Sequence, residues 1–195
     1  MKKISIIIIS LLVLLSVSVY ANDKDQVKAF RSFKFGDNPE VVKEKLEKDD
    51  GIIDNKFFIG DKEYEIGFEY YEDKLYRVKL VRGNLGTFET EEEAEFLAGV
   101  ISKQYGEPSG RGELPDKYNE SSYNVKMLYI SWKYYWSKHK TNTEKIIKIE
   151  DGYSSVTAFI DDPRVLKTKY KIYKAKEKTK KMKKEEQIKD AAESF

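Results

Sequence analysis

The chain contains 195 residues, of which 40% are hydrophobic and 13% aromatic, so it has enough apolar side chains for a packed core. It contains no cysteine, which excludes disulfide bonds, thiolate catalysis, cysteine-based metal sites and the lipid-modified cysteine of a bacterial lipoprotein. The net charge of +2 combines an acidic body with a basic tail: residues 22–163 carry 22 Lys/Arg and 29 Asp/Glu, and residues 164–195 carry 12 and 5.

The first 21 residues have the pattern of a secretory signal peptide. Lys2 and Lys3 precede an uncharged stretch, and small residues around Ala21 suit a signal peptidase. The apolar run of about 16 residues is shorter than the ~20 that span a bilayer, which favours cleavage after Ala21 over a retained membrane anchor. We therefore expect an exported bacterial protein, periplasmic or secreted, with no transmembrane helix after cleavage.

After a lead-in of residues 22–34, the sequence predicts one domain over residues 35–163. Its first helix is predicted at about residues 39–48, where Pro39 suits the first turn and Asp37 or Asn38 can cap it. Alternating apolar and polar side chains then predict strands with one wet face. These strand-like runs are residues 52–59, 64–71 and 76–82.

A second helix follows, for which Thr90 and Glu93 form a predicted capping box. Apolar residues recur at helical spacing as far as Tyr105, and Gly106 ends the helix. The polar, turn-rich residues 107–124 are long for an internal connection, so they are either mobile or a binding loop. Further strands are predicted at about residues 125–136, 146–149 and 156–160.

This element order predicts an α+β fold, with helices packed on one face of an antiparallel sheet. Two interpretations of the order remain open. It fits a tandem duplication of an α-β-β-β unit over residues 35–82 and 88–161, and it fits equally a single six-stranded sheet with two helices. Residues 164–195 follow as a basic tail, either helical or disordered.

Residues 35–42, with the sequence FGDNPEVV, resemble the opening of small exported bacterial domains of the SmpA/OmlA and β-lactamase-inhibitor-protein-like type. Those domains begin with a glycine, a capping residue and a helix that carries valines, followed by an antiparallel sheet. Tandem members repeat this unit, which resembles the element order found here. The resemblance implies a binding or assembly module rather than an enzyme, and it assigns no functional residue.

Few residues indicate a catalytic or metal site. His139 lies between Lys138 and Lys140 in a predicted turn. We interpret it as a solvated side chain, because no carboxylate nearby in the sequence can orient it for catalysis. The acidic pairs Asp49-Asp50 and Asp161-Asp162 lack the ligand spacing of a calcium loop. We expect no metal and no cofactor.

The aromatic strand that ends near residue 136 supplies the candidate binding face. Trp132 and Trp136 lie on one face of this strand. Their neighbours on that face are apolar, so we expect both tryptophans in the core. Tyr129, Lys133 and Tyr135 share the other face, which is either packed or open to a peptide, a sugar or a protein.

The basic tail is the second candidate site. Beyond Lys174 it is almost wholly charged, and its densest cationic stretch contains Lys180, Lys181, Lys183 and Lys184. Such a segment is either a solvated arm or an electrostatic contact to anionic lipid, an acidic envelope polymer or an acidic partner. Because we expect the protein to be exported, nucleic acid is not an expected partner, although the positive charge of the tail permits it.

Together these features favour a non-catalytic periplasmic binding or envelope-assembly module, whose sheet face holds a partner and whose tail provides a weak tether. Two alternatives remain open. One is an envelope hydrolase that uses two carboxylates, since the body is rich in acids. The other is a structural protein whose basic tail docks on its own acidic body.

Overall fold

The computed structural model describes residues 26–112, 132–136 and 145–193, with backbone positions alone for residues 111–112, 132–136 and 193. The predicted signal peptide, Tyr129 and His139 lie outside the described residues. The helices are α1 (Pro39–Lys48), α2 (Thr87–Tyr105) and α3 (Pro163–Glu193). The strands are β1 (Lys28–Phe30), β2 (Phe33–Lys34), β3 (Lys56–Ile59), β4 (Lys62–Tyr71), β5 (Lys74–Arg82), β6 (Gly110–Gly112), β7 (Trp132–Trp136), β8 (Ile146–Asp151) and β9 (Val156–Asp161).

Among the described residues, the strands form one antiparallel sheet in the order β3-β4-β5-β9-β8-β7-β6 and a separate β1-β2 hairpin. The predicted α+β fold is therefore confirmed. β5 and β9 pair at the centre of the sheet. β5 is the last strand of the group that follows α1, and β9 is the last strand of the group that follows α2. This pair therefore joins the two groups of strands.

The inner face of the sheet carries the main core. Val78, Ile160 and Ile147 form one row across β5, β9 and β8, and Leu80, Ala158 and Ile149 form the next row. Apolar side chains of α1, α2 and the β1-β2 hairpin pack against these rows in a single buried cluster. Burial of this apolar surface is the main stabilising contribution to the domain.

The start of α1 follows the prediction. Asn38, in extended conformation, accepts a hydrogen bond from the Val41 N–H at 2.8 Å, and Pro39 occupies the first turn. Gly36 has a φ of 95°, which glycine adopts without strain, and its N–H donates to the Leu75 carbonyl at 2.9 Å. Of the two predicted caps, Asn38 is therefore the one that caps the helix, whereas the Asp37 side chain contacts Lys45 at 2.7 Å.

The predicted capping box at the start of α2 is wrong. The helix begins at Thr87, with Gly86 as its N-cap, and the Gly86 N–H donates to the Glu89 side chain at 2.5 Å. Thr90 lies within the helix. Glu93 is buried and binds Tyr64, Lys62 and Arg82, because its position on the helix faces the sheet rather than the solvent.

Two short elements were not predicted. Residues 28–34, within the predicted lead-in, form the β1-β2 hairpin and bury Ala29 and Phe33 in the core. Strand β6 lies within the predicted loop of residues 107–124 and pairs with β7 at the sheet edge. The strands of both elements are only two or three residues long, too short to show a periodic pattern in the sequence.

The other, outer face of the sheet receives the start of α3. Glu69 pairs with Arg77 but Tyr70 pairs with Leu75, so Tyr76 is an extra residue in β5 at a β-bulge. Leu75 remains in the inner-face core, whereas Tyr76 packs with Ile146 and the fully buried Leu166 of α3. The bulge thus provides the contact that fixes α3 to the sheet.

Leu166→Ala is expected to weaken this contact. The side chain is 0% exposed, and truncation of a buried leucine leaves a cavity that costs about 2–4 kcal/mol in the free energy of unfolding. Urea denaturation measures this change, and Ile172→Ala, at a position 41% exposed on the same helix, is the matched control. We expect the control to change stability by less than about 0.5 kcal/mol; equal effects of both variants would contradict the proposed anchor.

Candidate functional site

A buried ion network lies on the outer face where β5, β9 and β8 meet. The Asp161 carboxylate, 0% exposed, accepts from Arg77 Nε at 2.5 Å and from Arg77 Nη2 at 3.3 Å. The Lys148 ammonium, 1% exposed, lies 2.5 Å from the second Asp161 oxygen. Strand register explains the meeting, because Arg77 pairs with Asp161 across β5 and β9, and β8 is the next strand.

The outer-face ion network continues to β4 and α3. Glu69 lies 3.2 Å from Arg77 Nη1 and 2.9 Å from Lys79 Nζ, and it accepts from the Tyr76 hydroxyl at 2.8 Å. Lys169 of α3 donates to the same Tyr76 hydroxyl at 3.0 Å. These contacts extend the attachment of α3 from the apolar Leu166 contact to a polar one.

The electrostatics of this network favour its ionised form. Complete burial by itself raises the pKa of the Asp161 carboxyl, but the Lys148 and Arg77 cations outweigh burial and hold that pKa below its usual range. The pKa of Glu69 is also lowered, because its partners Lys79 and Arg77 outweigh its partial burial. Neither acid is suited to donate a proton near neutral pH, so this pair lacks the general acid of a glycosidase.

Two residues of the predicted aromatic face, Lys133 and Tyr135, belong to β7, the strand next to β8 in the sheet. Tyr135 pairs with Lys148 in the backbone register, and Lys133 lies two residues earlier on β7. Tyr134 and Trp136 pair with Ile149 and Ile147, whose side chains face the inner core. The register therefore places Lys133 and Tyr135 at outer-face positions.

The predicted cationic tail is a helix over its described length. Helix α3 contains 31 residues, and residues 174–192 are all exposed. Lys180, Lys181, Lys183 and Lys184 lie within this exposed part. The structure therefore supports the helical alternative of the two that the sequence left open.

A cavity of about 310 Å³ on the inner face was not predicted from the sequence. It lies between β1, α2 and the sheet, and its walls are largely apolar. Lys145, directly before β8, is buried at this cavity, and its Nζ donates to the Ala29 carbonyl at 2.8 Å. The sequence feature that could have indicated this cavity is a lysine directly before the apolar run of β8. That lysine has no distinctive spacing from other residues, so it did not predict a site.

The Lys145 ammonium is electrostatically disfavoured in this position. Burial, with a smaller contribution from the positive charge of Lys28, lowers the pKa of Lys145 to about 8. The ammonium lies 5.3 Å from the centre of the Tyr105 ring, a distance at which a cation is attracted to the ring face. Burial likewise raises the pKa of the Tyr105 hydroxyl.

Comparison with known proteins leaves the family of this chain open. No family model matches it, and no curated protein or solved structure does either. Within the described ranges, no helix combines the length and the hydropathy needed to cross a membrane. The described residues also contain no cluster of three or more His, Asp or Glu side chains that could hold a metal ion.

Asp161→Asn is expected to lower the free energy of unfolding at neutral pH by about 3–5 kcal/mol, because it leaves two buried cations without their carboxylate. The folded pKa of Asp161 is below its unfolded value, so its ionisation stabilises the fold above about pH 4. That contribution is lost as the pH falls through the folded pKa. The difference between wild type and variant should therefore shrink in acid, as measured by urea denaturation at several pH values.

Asp50→Asn, at an exposed carboxylate after α1, is the matched control and should change stability little at any pH. A second variant, Arg77→Met with Lys148→Met and Asp161→Leu, removes all three charges together. It should be more stable than Asp161→Asn, since an apolar replacement of a buried ion group leaves no unpaired charge. Equal losses in both variants would contradict an electrostatic origin.

Proposed function

We propose that this protein is a non-catalytic exported binding module that attaches to an anionic envelope surface through helix α3. The supporting observation is that residues 174–192 form a helical segment whose residues are all exposed. Among the described side chains of this helix, Leu166, near the helix start, is the one that is fully buried. The segment beyond residue 173 therefore contributes little to the core, and the exposure of its lysines supports a contact with an external partner.

The composition of this segment suits an anionic surface. Residues 174–192 contain eight lysines and four carboxylates. The 31 residues of α3 extend over about 46 Å. Its larger apolar side chains, Met182 and Ile188, are well exposed and lie on different sides of the helix. The helix thus lacks the single apolar face of an inserting amphipathic helix, and adsorption by charge is the mode it supports.

The folded body provides the second part of the proposal. Lys133 and Tyr135 lie at outer-face register positions beside the ion network, and with Tyr129 they remain the proposed partner face. The resemblance of residues 35–42 to small exported binding domains agrees with this role. The carboxylate hydrolase alternative gains no support from Glu69 and Asp161, whose lowered pKa values suit ion pairing. The exposure of residues 174–192 favours an external partner over a tail docked on its own body.

Substitution of Lys180, Lys181, Lys183 and Lys184 by glutamine tests the surface contact. Each lysine near an anionic membrane contributes roughly 1 kcal/mol, so the variant should bind phosphatidylglycerol vesicles at least tenfold more weakly at low salt. Binding of the wild type should fall as salt rises, because the attraction is screened. Vesicle co-sedimentation measures both effects, and neutral phosphatidylcholine vesicles should bind neither protein.

The matched control carries the same charge change on the body: Lys43, Lys56, Lys74 and Lys103 replaced by glutamine, all at exposed positions. It should retain most of the vesicle binding. Equal losses in both variants would show that net charge alone governs binding and would reject a specific role of α3. Salt-independent binding would reject the electrostatic mechanism.

Export itself is tested at the amino terminus. We expect mass spectrometry of the protein from bacterial envelope fractions to show a chain that begins at Asn22, because Ala21 supplies the small residue before the cleavage point. Recovery of the intact chain in the membrane fraction would instead support an uncleaved anchor, and recovery in the cytoplasm would reject export.

A further inference from the structure

A second cavity, of about 470 Å³, lies where the segment before α1, the ends of β4 and β5 at their connecting turn, and the start of α3 meet. These segments are far apart in the sequence, so only the folded chain forms the cavity. Phe35 and Leu75, each 1% exposed, are among its lining residues and provide an apolar floor. The volume lies within the range of ligand pockets, which is roughly 300–1,000 Å³.

An ion pair between two further lining residues, Asp162 and Arg164, borders this cavity. The Asp162 side chain, 6% exposed, accepts hydrogen bonds from Arg164 Nη2 at 2.8 Å, from Arg164 Nε at 3.0 Å and from the Arg164 backbone N–H at 2.8 Å. The Arg164 side chain is 64% exposed. Because the buried carboxylate holds the guanidinium in one orientation, Arg164 presents a planar set of donors at a fixed position.

The other polar lining residues add both donors and acceptors. The Gln26 amide does both, and the Lys74 ammonium donates. The Thr168 hydroxyl donates its hydrogen to the Arg164 carbonyl at 3.0 Å, which leaves its oxygen as an acceptor. A Cβ at Gly36 would lie only 3.3 Å from Gln26 Nε2, so this glycine leaves room for the amide in the cavity wall.

We propose that this cavity binds a saccharide of one or two pyranose rings. Each sugar hydroxyl both donates and accepts, which matches the mixed set of lining groups, whereas an anion needs donors and a cation needs acceptors. The C–H faces of a pyranose are apolar and suit the partly exposed Tyr71 ring and the apolar floor. The site goes beyond the proposed surface attachment, because it does not use residues 174–192.

The probes are maltose, cellobiose and diacetylchitobiose, which differ in linkage and in ring substituents. Isothermal titration calorimetry on the purified protein should show saturable binding of at least one of them, with a dissociation constant of about 1 mM or lower. The affinity should change little as salt rises, because uncharged hydroxyls make no contact that salt screens. Inorganic phosphate and trialanine, added as competitors, test for selection of an anion or of a peptide.

Two substitutions of Thr168 test the cavity, and the same substitutions of Thr179 are the matched controls. Thr168→Val keeps the branched shape and removes the hydroxyl, so it should weaken disaccharide binding about fivefold. Thr168→Trp places a large ring at the cavity and should abolish binding. Thr179 is also exposed on α3 and donates an equivalent hydrogen bond, to the Ala175 carbonyl at 3.0 Å, but it does not line the cavity. Thr179→Val and Thr179→Trp should therefore bind like wild type.

Several outcomes would overturn the proposal. They are no saturable binding of any of the three disaccharides, equal effects of the Thr168 and Thr179 substitutions, and displacement of the disaccharide by phosphate or trialanine. Thermal unfolding shows whether each variant keeps its fold, which we expect because both threonines are exposed. The quadruple glutamine variant of α3 should bind the disaccharide normally, and Thr168→Trp should bind vesicles normally, so failure of the cavity proposal and failure of surface attachment are distinguishable.

Discussion

The buried carboxylate of Asp161 is the interaction on which the rest of the described structure depends. It joins Arg77 of β5 and Lys148 of β8 across the central strand β9, at the point where the two groups of strands meet. Burial of three charges is unfavourable unless each finds a partner with good geometry, so the network tolerates only the observed register. A shift of one residue in β9 would move Asp161 to the inner face, among apolar side chains.

This constraint connects the sheet to helix α3. Asp161 ends β9, and Asp162, the next residue, binds the Arg164 side chain and donates its N–H to the Tyr76 carbonyl at 2.8 Å. The bulge at Tyr76 then brings an aromatic ring under Leu166 and a hydroxyl to Lys169. The direction of the exposed cationic helix is thus set by contacts near its start, whereas residues 174–192 are exposed.

The two faces of the sheet provide different kinds of surface. The outer face combines paired charges with aromatic rings, and Arg77 lies 5.2 Å from the centre of the Phe159 ring. The inner face is mainly apolar, but Glu93 of α2 is buried there against Tyr64, Lys62 and Arg82, and the buried Lys145 ammonium borders a cavity. The inner-face cavity and the start of helix α3 therefore lie on opposite faces of the sheet.

Local patterns determined much of the fold. Capping and periodicity located α1, β4, β5 and the body of α2, because apolar side chains recur on the core-facing side of each element, and composition identified the signal-like segment and the cationic tail. The tertiary structure alone decided the strand order, the inward orientation of Glu93, the bulge at Tyr76 and the position of Lys145 beside a cavity. These features arise from side chains distant in sequence, such as Arg77 and Asp161, which are 84 residues apart, and no local pattern encodes such a meeting.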